Sequence, residues 1–377
     1  MRTYVYDPAM TYSAGYRTQD YIYFSCNIFN ALFRYELKTG KTEHLGIFED
    51  EPLLAMGLHQ KAFGWNEKIV FAPASANALC IFDPADNSVE YVKLPGTEGE
   101  TGIDAVLFDD KVWIFYVSKK CPIYVVDLKT RSYEKLESIT KKLANVIRPG
   151  KKTAFYTRCA VEGGYIYSAV WGTDTVLKAD LKSGSFELIQ IPVKGIQLSG
   201  VAYSDENLYL TALSDWNVYR FNLQSKRTDA YTYQGCKSER QVLYPLIIAF
   251  NKHIIAFPTE GDDILTIDDA AMKLKPFCGI PEGYDSIVSD GRCYWKRFYS
   301  YSIEDDKLTI LPYSSKMRLT ISGSDHTCGR TEMVFEESFI DDLFERIYKP
   351  GYIETEKKKP VVRENPLYSF EDFIKNI

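Results

Sequence analysis

"TVLKADLKSGSFELIQIP", residues 175–192, decides the fold because the chain writes it repeatedly. Related stretches are "NALFRYELKTGKTEHLGIF" (30–48), "NALCIFDPADNSVEYVKLP" (77–95) and "CPIYVVDLKTRSYEKLE" (121–137). Each alternates apolar and polar residues, reaches Asp or Glu, turns through polar residues, and alternates again. Alternation with period two marks a half-buried strand, and Gly, Asp and Ser make tight turns between two such runs. Each copy therefore reads as a β-hairpin.

Anchored on the residue before the turn, the copies fall at Glu36, Asp83, Asp127, Asp180, Asn222 and Asp268, with a degraded seventh near Glu304. A second hairpin pattern precedes each copy: a short apolar strand, a polar turn, and a strand rich in Tyr, Val and Ile. Its instances are "VLFDDKVWIFYV", "AVEGGYIYSAVW", "VAYSDENLYLTAL", "IIAFNKHIIAFP" and "IVSDGRCYWKRF", with looser forms "AFGWNEKIVFAP" and "YRTQDYIYFSC". Two hairpins per repeat make four strands, and four-stranded units recurring every ~45 residues are the mark of a β-propeller. A lone four-stranded sheet cannot bury both faces, whereas a ring of them buries each against its neighbours. The expected fold is all-β, with seven blades over residues 1–336. Eight is the alternative count, since residues 317–335 contain one more strand pair and Thr3–Asp7 offers another strand.

Residues 337–377 read differently. "ESFIDDLFERIY" has the apolar spacing of an amphipathic helix, a charged linker with Lys357, Lys358 and Lys359 follows, and "SFEDFIKNI" closes on a second short helical pattern. Phe370, Phe373, Ile374 and Ile377 share one face of it, so this extension either docks on the propeller or offers a partner a helix.

The composition narrows the function classes. The net charge of −6 gives no general affinity for nucleic acid or anionic membranes. No apolar run is long enough for a spanning helix, and the first residues lack the apolar stretch of a secretory signal. The eight cysteines are scattered with no Cys-x-x-Cys pair, so neither a metal site nor a cofactor is expected. Scattered cysteines suit a reducing compartment, and the expected location is cytoplasmic.

If the strands of a blade run A to D outward, the D-to-A and B-to-C loops share one face, and that is the face whose length and chemistry vary from copy to copy. Variation confined to one face is what repeat proteins show where they bind. Two loops there stand out. "GTEGETGID" carries Glu98, Glu100 and Asp104. "SITKKLANVIRPGKKTAFYTRCAV", residues 138–161, holds Lys141, Lys142, Arg148, Lys151, Lys152 and Arg158 and no acidic residue. The second, which leads into the fourth repeat, suits an anion site built on Arg158 and Lys151, with Arg240 in a similar position on the approach to the sixth repeat. Ring surfaces and carboxylates come from Tyr156, Tyr244 and Tyr284 before inner strands, and from Trp171, Asp174, Asp215 and Trp216 in B-to-C turns.

No catalytic motif is present in the sequence. Histidine is scarce, at His44, His59, His253 and His326, and only His59 approaches an inner strand from the variable face. The first expectation is a non-catalytic propeller that binds a protein partner or an anionic small molecule or glycan. The alternatives are an enzyme, hydrolase or lyase, acting on an anionic sugar or glycan with Asp174 or Asp215 as base, and a scaffold recruited through its C-terminal segment.

"SDWNVYRFNL", residues 214–223, resembles the Ser-Asp…Tyr-x-x-Asp stretch of calcium-dependent sugar lactonase propellers, but Asn222 replaces the final Asp and the chain has no Asn-Gly. "LKTGK" and "LKSGS" are similar to turns of quinoprotein-type repeats without their tryptophan docking motif. More broadly the chain resembles poorly characterised bacterial propeller proteins, some of which accompany surface-polysaccharide biosynthesis.

Overall fold

The computed structural model describes residues 12–27, 29–52, 55–97, 100–117, 123–143, 146, 159–213, 215–233, 244, 246–257, 263–279, 299–304, 306–312 and 317–333. The first sheet holds β1 (Tyr12–Arg17), β2 (Tyr21–Cys26), β3 (Leu32–Glu36) and β4 (Thr42–Gly46) in that order. The second holds β5 (His59–Trp65), β6 (Lys68–Pro73), β7 (Ala78–Asp83) and β8 (Ser88–Lys93). The third holds β9 (Thr101–Phe108), β10 (Lys111–Val117), β11 (Ile123–Asp127) and β12 (Ser132–Lys135), followed by a short helix α1 (Glu137–Leu143). The fourth holds β13 (Ala160–Glu162), β14 (Tyr165–Ala169), β15 (Thr175–Asp180) and β16 (Phe186–Gln190).

Next come β17 (Leu198–Ser204), β18 (Asn207–Ala212), β19 (Asn217–Asn222) and β20 (Thr228–Thr232), then β21 (Leu246–Phe250), β22 (His253–Phe257), β23 (Asp263–Asp268) and β24 (Lys273–Gly279). These form one eight-stranded sheet whose halves meet at a single parallel pairing, Thr232 with Lys273. The last sheet holds β25 (Tyr299–Glu304), β26 (Lys307–Pro312), β27 (Met317–Ser322) and β28 (Cys328–Glu332).

The sheets are arranged as a propeller. Innermost strands succeed one another around the axis, β1 against β5, β5 against β9, β17 against β21, and β25 back against β1. A hydrophobic core fills each seam. Tyr23 shares a cluster with Phe71 between the first two sheets, Val70 with Ile114 in the next seam, and Trp113 with Leu177 in the one after. Tyr167 packs with Leu210, Val218 with Ile254, and Ile255 with Leu308. Leu311 with Phe24 closes the circle.

Strand β10 shows why the second strand of a repeat is apolar throughout. Val112, Ile114 and Tyr116 face one seam while Trp113 and Phe115 face the other. Period two places successive side chains on opposite faces, and both faces are buried here. Each such side chain, fully buried, contributes roughly 1.5–3 kcal/mol. Glycine permits a close approach between the inner strand β9 and the end of β6 in the preceding sheet. A Cβ on Gly102 would collide with the Pro73 carbonyl oxygen, a backbone atom that cannot yield.

The repeated anchor residue has a definite task. Asp127 Oδ1 accepts the backbone N–H groups of Lys129 and Thr130 at 2.9 Å, and Asp180 Oδ1 accepts those of Lys182 and Ser183 at 2.8 and 3.0 Å. Asn222 Oδ1 does the same for Gln224 and Ser225, and Asp268 Oδ1 for Ala271. These Asx turns fold the outer C-to-D hairpin, and the amide donors hold the Asp127 and Asp180 carboxyls below the usual range. At the opposite edge of the same face, two-residue A-to-B turns take positive φ at both positions, as at Asn66 (48°) and Glu67 (63°) or Asp205 (49°) and Glu206 (62°). That backbone matches the right-handed twist of the strands it joins.

Two sequence expectations need correction and three fall outside. Glu304 is not the anchor of an outer hairpin. It ends β25 and pairs with Lys307 in an A-to-B hairpin, and the outer hairpin of that sheet is β27–β28. The basic stretch that starts at Ser138 is not all loop. It runs through α1, where Ile139 and Leu143 are fully buried in the seam between the third and fourth sheets. The hairpin expected at 287–298, the strand at Thr3–Asp7 and the extension 337–377 lie outside the described residues. No helix among the described residues is long and apolar enough to cross a membrane.

Candidate functional site

The face formed by the D-to-A and B-to-C loops is where inner strands begin. Some of its polar groups tie successive sheets together, and these ties differ from one another. On β5 a bulge between His59 and Lys61 breaks the alternation. Lys61 Nζ then stands 3.1 Å from Asp104 Oδ1 on β9. Asp104 is 1% exposed, and its other oxygen accepts the backbone N–H of Cys159 at 2.6 Å, just before β13. One carboxylate thus joins the second, third and fourth sheets.

The arrangement constrains the chemistry available there. Burying a carboxylate is costly unless it is paired and hydrogen-bonded, and Asp104 is both. Burial, with the Asp104 charge second, pushes the Cys159 thiol well above its ordinary range. A thiol held protonated is a poor nucleophile, so Cys159 serves as a packing and backbone contact.

His59 lies beside this tie with no exposed surface. Its ring packs on Phe48 at 4.5 Å and Phe71 at 5.5 Å, and neither ring nitrogen has a hydrogen-bond partner among the described residues. Burial alone depresses its pKa to about 3, so the ring is neutral. Ser13 Oγ donates to the His59 backbone carbonyl, which uses the serine structurally and leaves the imidazole out. The sequence singled out His59 as approaching the working face, and the structure turns its ring into the seam between the first two sheets.

The other ties are equally local. Asn30 Nδ2 donates to the carbonyls of Phe48 (2.8 Å) and Glu51 (2.9 Å), while its Oδ1 accepts the Phe48 N–H at 2.9 Å. Glu51 Oε1 accepts the Asn77 N–H at 2.7 Å, and burial raises the Glu51 carboxyl above its usual pKa. Asp215 Oδ1 accepts the Asn217 N–H at 2.8 Å and Oδ2 accepts the Tyr219 hydroxyl. Asp174 accepts from Thr175 Oγ1 and from Gln190 Nε2, both at 3.1 Å. Both carboxylates named as candidate bases are therefore engaged as acceptors within their own sheets.

Trp171 and Trp216 are half-buried on this face. Trp216 is brought together with Tyr244, the rings perpendicular at 5.8 Å, and the Tyr244 hydroxyl donates to the Trp216 carbonyl at 3.1 Å. Tyr244 is fully buried, so it props Trp216 from below rather than presenting its own ring. Lys151, Tyr156, Arg158, Arg240 and Tyr284 lie outside the described residues. Lys142 sits on the exposed side of α1 with its ammonium 4.8 Å from the Phe186 ring, at the outer edge and away from the inner strands. Among the described residues no group of three or more His, Cys, Asp or Glu is placed to hold a metal ion.

Sequence reading missed Lys61 and Cys159 and gave Asp104 only as part of an acidic loop. The available signal was position. Asp104 and Lys61 are charged residues inside inner strands, where charges are rare unless paired.

No family model and no curated protein matches the chain. Solved structures of similar fold include virginiamycin B lyase from Staphylococcus aureus, with 9% identity and a TM-score of 0.57 over 82% of this chain and 94% of that one. A streptogramin B lyase structure has 10% identity and a TM-score of 0.56 over 81% and 93%. The WD40 repeats of RRP9 have 12% identity and a TM-score of 0.54 over 81% and 88%. At these identities the likeness is one of fold, and by fold the chain is similar to β-propeller and WD40-repeat structures, a group that includes lyases and repeat proteins alike.

Proposed function

We propose that this chain is a non-catalytic binding propeller whose D-to-A and B-to-C loop face holds a protein partner or an anionic small molecule or glycan. The ring has seven blades within residues 1–336, the eight-stranded sheet counting as two because one parallel pairing alone joins its halves. Residues 337–377 form a helical extension, and the protein works in the cytoplasm. Arg158, Arg240 and Lys151 grip the anion, and Tyr156, Trp171, Trp216 and Tyr284 supply ring surfaces.

The observation that carries this reading is the difference between faces. One face repeats a single Asx turn, and the other has side-chain ties that differ among the seams of the first four sheets. The enzyme reading rests on the fold shared with lyases. It is weakened by the engagement of Asp174 and Asp215 and by the burial of His59 without a partner. A thermal-shift screen against phosphorylated sugars, nucleotide sugars and uronates tests the binding reading. The expected result is a stabilisation that Arg158→Ala and Arg240→Ala each diminish. Turnover of a lactone or glycan at ordinary enzymatic rates would overturn it.

A further inference from the structure

The seam between β21–β24 and β25–β28 carries a feature that the other seams lack among the described residues. Ile255, Ile264, Leu308 and Ile321 form its apolar centre. Strand β24 pairs Pro276 with Leu265 and Cys278 with Ile264, so Phe277 is an extra residue in the ladder. That bulge breaks the alternation and lets Phe277 and Cys278 both face the seam, at 5% and 6% exposure.

From the opposite side comes the turn before β28. His326, at φ +53°, places its ring 4.3 Å from Phe277 and 5.2 Å from His253, which itself lies 5.1 Å from Phe277. Three rings thus hold the two segments together beside a pair of thiols. Cys328 packs against the cluster that contains Cys278, and the two thiols act on each other, Cys278 being pushed above its ordinary pKa and Cys328 below. Both are free thiols, and Cys328 keeps partial exposure. Cys26, Cys80 and Cys159 are buried in other seams.

We infer that Cys278 and Cys328 are a redox-modification site: exchange with a low-molecular-weight disulfide of the glutathione class closes a reversible disulfide clasp across this seam. The roles follow from placement. Cys328 is the attacking group, because it reaches solvent and because the neighbouring Cys278 thiol holds its own below the ordinary value. Cys278 is the resolving group, kept protonated by the Cys328 thiol and by burial.

The Cys328 thiolate attacks one sulfur of the glutathione disulfide, whose S–S bond breaks and releases one glutathione thiolate. Cys278 then loses its proton to solvent and attacks the Cys328 sulfur, expelling the second glutathione. Two protein thiols are oxidised, one disulfide is reduced to two thiols, and the two protons lost by the protein balance the two gained by glutathione. The clasp ties the last sheet covalently to its predecessor, in a ring whose described sheets are each built from one contiguous stretch of chain.

The test uses the full chain incubated with oxidised glutathione, followed by intact mass and non-reducing peptide mapping. Wild type should lose the mass of two hydrogens, yield a peptide linking Cys278 to Cys328, melt at a higher temperature, and revert with dithiothreitol. Cys278→Ser should instead accumulate a glutathione adduct on Cys328, whereas Cys328→Ser should leave Cys278 unmodified. The wild-type map alone decides the case if either variant fails to fold. Absence of a link, a link through any other cysteine, or an adduct on Cys278 in Cys328→Ser would overturn the assignment.

Discussion

The two faces of the ring are held by opposite strategies. On the face of the A-to-B and C-to-D turns, one device recurs: a side-chain oxygen at Asp127, Asp180, Asn222 or Asp268 accepts amides two or three residues on. On the other face the tie is Asn30 in one place, Glu51 with Asn77 in another, Lys61 with Asp104 and Cys159 in a third. A repeated device spans a few residues and can be copied with its hairpin. The unrepeated ones join different sheets, so each is specific to its seam and leaves the surrounding loops free to differ. Such an arrangement lets one face of a repeat protein vary without loss of its frame.

The largest effect that would sharpen this contrast is at Asp104. Asp104→Ala leaves Lys61 without its buried partner and frees the Cys159 amide, and should cost about 3–5 kcal/mol in urea unfolding. Since Lys61 keeps 16% of its side chain exposed, the lower part of that range is expected. A loss below 1 kcal/mol would mean the pair does not join the sheets.

His59 gives a pH signature. Its folded pKa of about 3 lies below the unfolded value of 6.5. Below pH 6.5 the unfolded chain takes up a proton that the folded chain refuses, so stability falls as pH drops through the window from 6.5 to 3, by up to about 1.4 kcal/mol per unit. His59→Leu fills the space between Phe48 and Phe71 and removes that proton. Subtracting its unfolding free energies from those of wild type at pH 7.5 and 5 should isolate a difference of about 2 kcal/mol. Parallel pH profiles would contradict a neutral, unpartnered imidazole.

Tyr244→Phe removes the bond to the Trp216 carbonyl while keeping the ring beneath the indole, and should cost about 1 kcal/mol, with a change in tryptophan fluorescence as the Trp216 backbone loses that anchor. Asp127→Ala removes one exposed copy of the repeated turn and should cost about 0.5 kcal/mol. If Asp127→Ala cost as much as Asp104→Ala, the division between faces would fail.

Much of the frame was legible in the sequence. The Asx turn demands an oxygen-bearing side chain at one position per repeat, and that demand is what makes Asp83, Asp127, Asp180, Asn222 and Asp268 align, while Glu36 in the first sheet accepts the Thr39 hydroxyl instead. Where the requirement was met differently the reading slipped. In the last sheet Ser322 stands at the anchor position, and Asp306 from the A-to-B turn accepts the Ser324 amide at 2.8 Å instead. No local pattern announces a partner brought in from another turn, so Glu304 was taken as the anchor.

The site was less legible for a related reason. Lys61 and Asp104 are 43 residues apart and meet only because β5 and β9 are adjacent around the axis. Their pairing depends on a bulge at Gln60 that composition does not reveal. The basic stretch misled through its uniformity of charge, although Leu136, Ile139 and Leu143 at i, i+3 and i+7 carried the signal for α1.

Calorimetric titration of the strongest stabiliser from the ligand screen, into variants of each face, bears most directly on the central claim. Arg158→Ala, at the residue proposed to grip the anion, should weaken binding by roughly 10- to 100-fold, the equivalent of one charge-assisted hydrogen bond. Lys129→Ala, paired with Asp110 on the repeated face, should leave affinity unchanged. Affinity lost in Lys129→Ala and kept in Arg158→Ala would place the ligand on the other side of the ring and contradict the account.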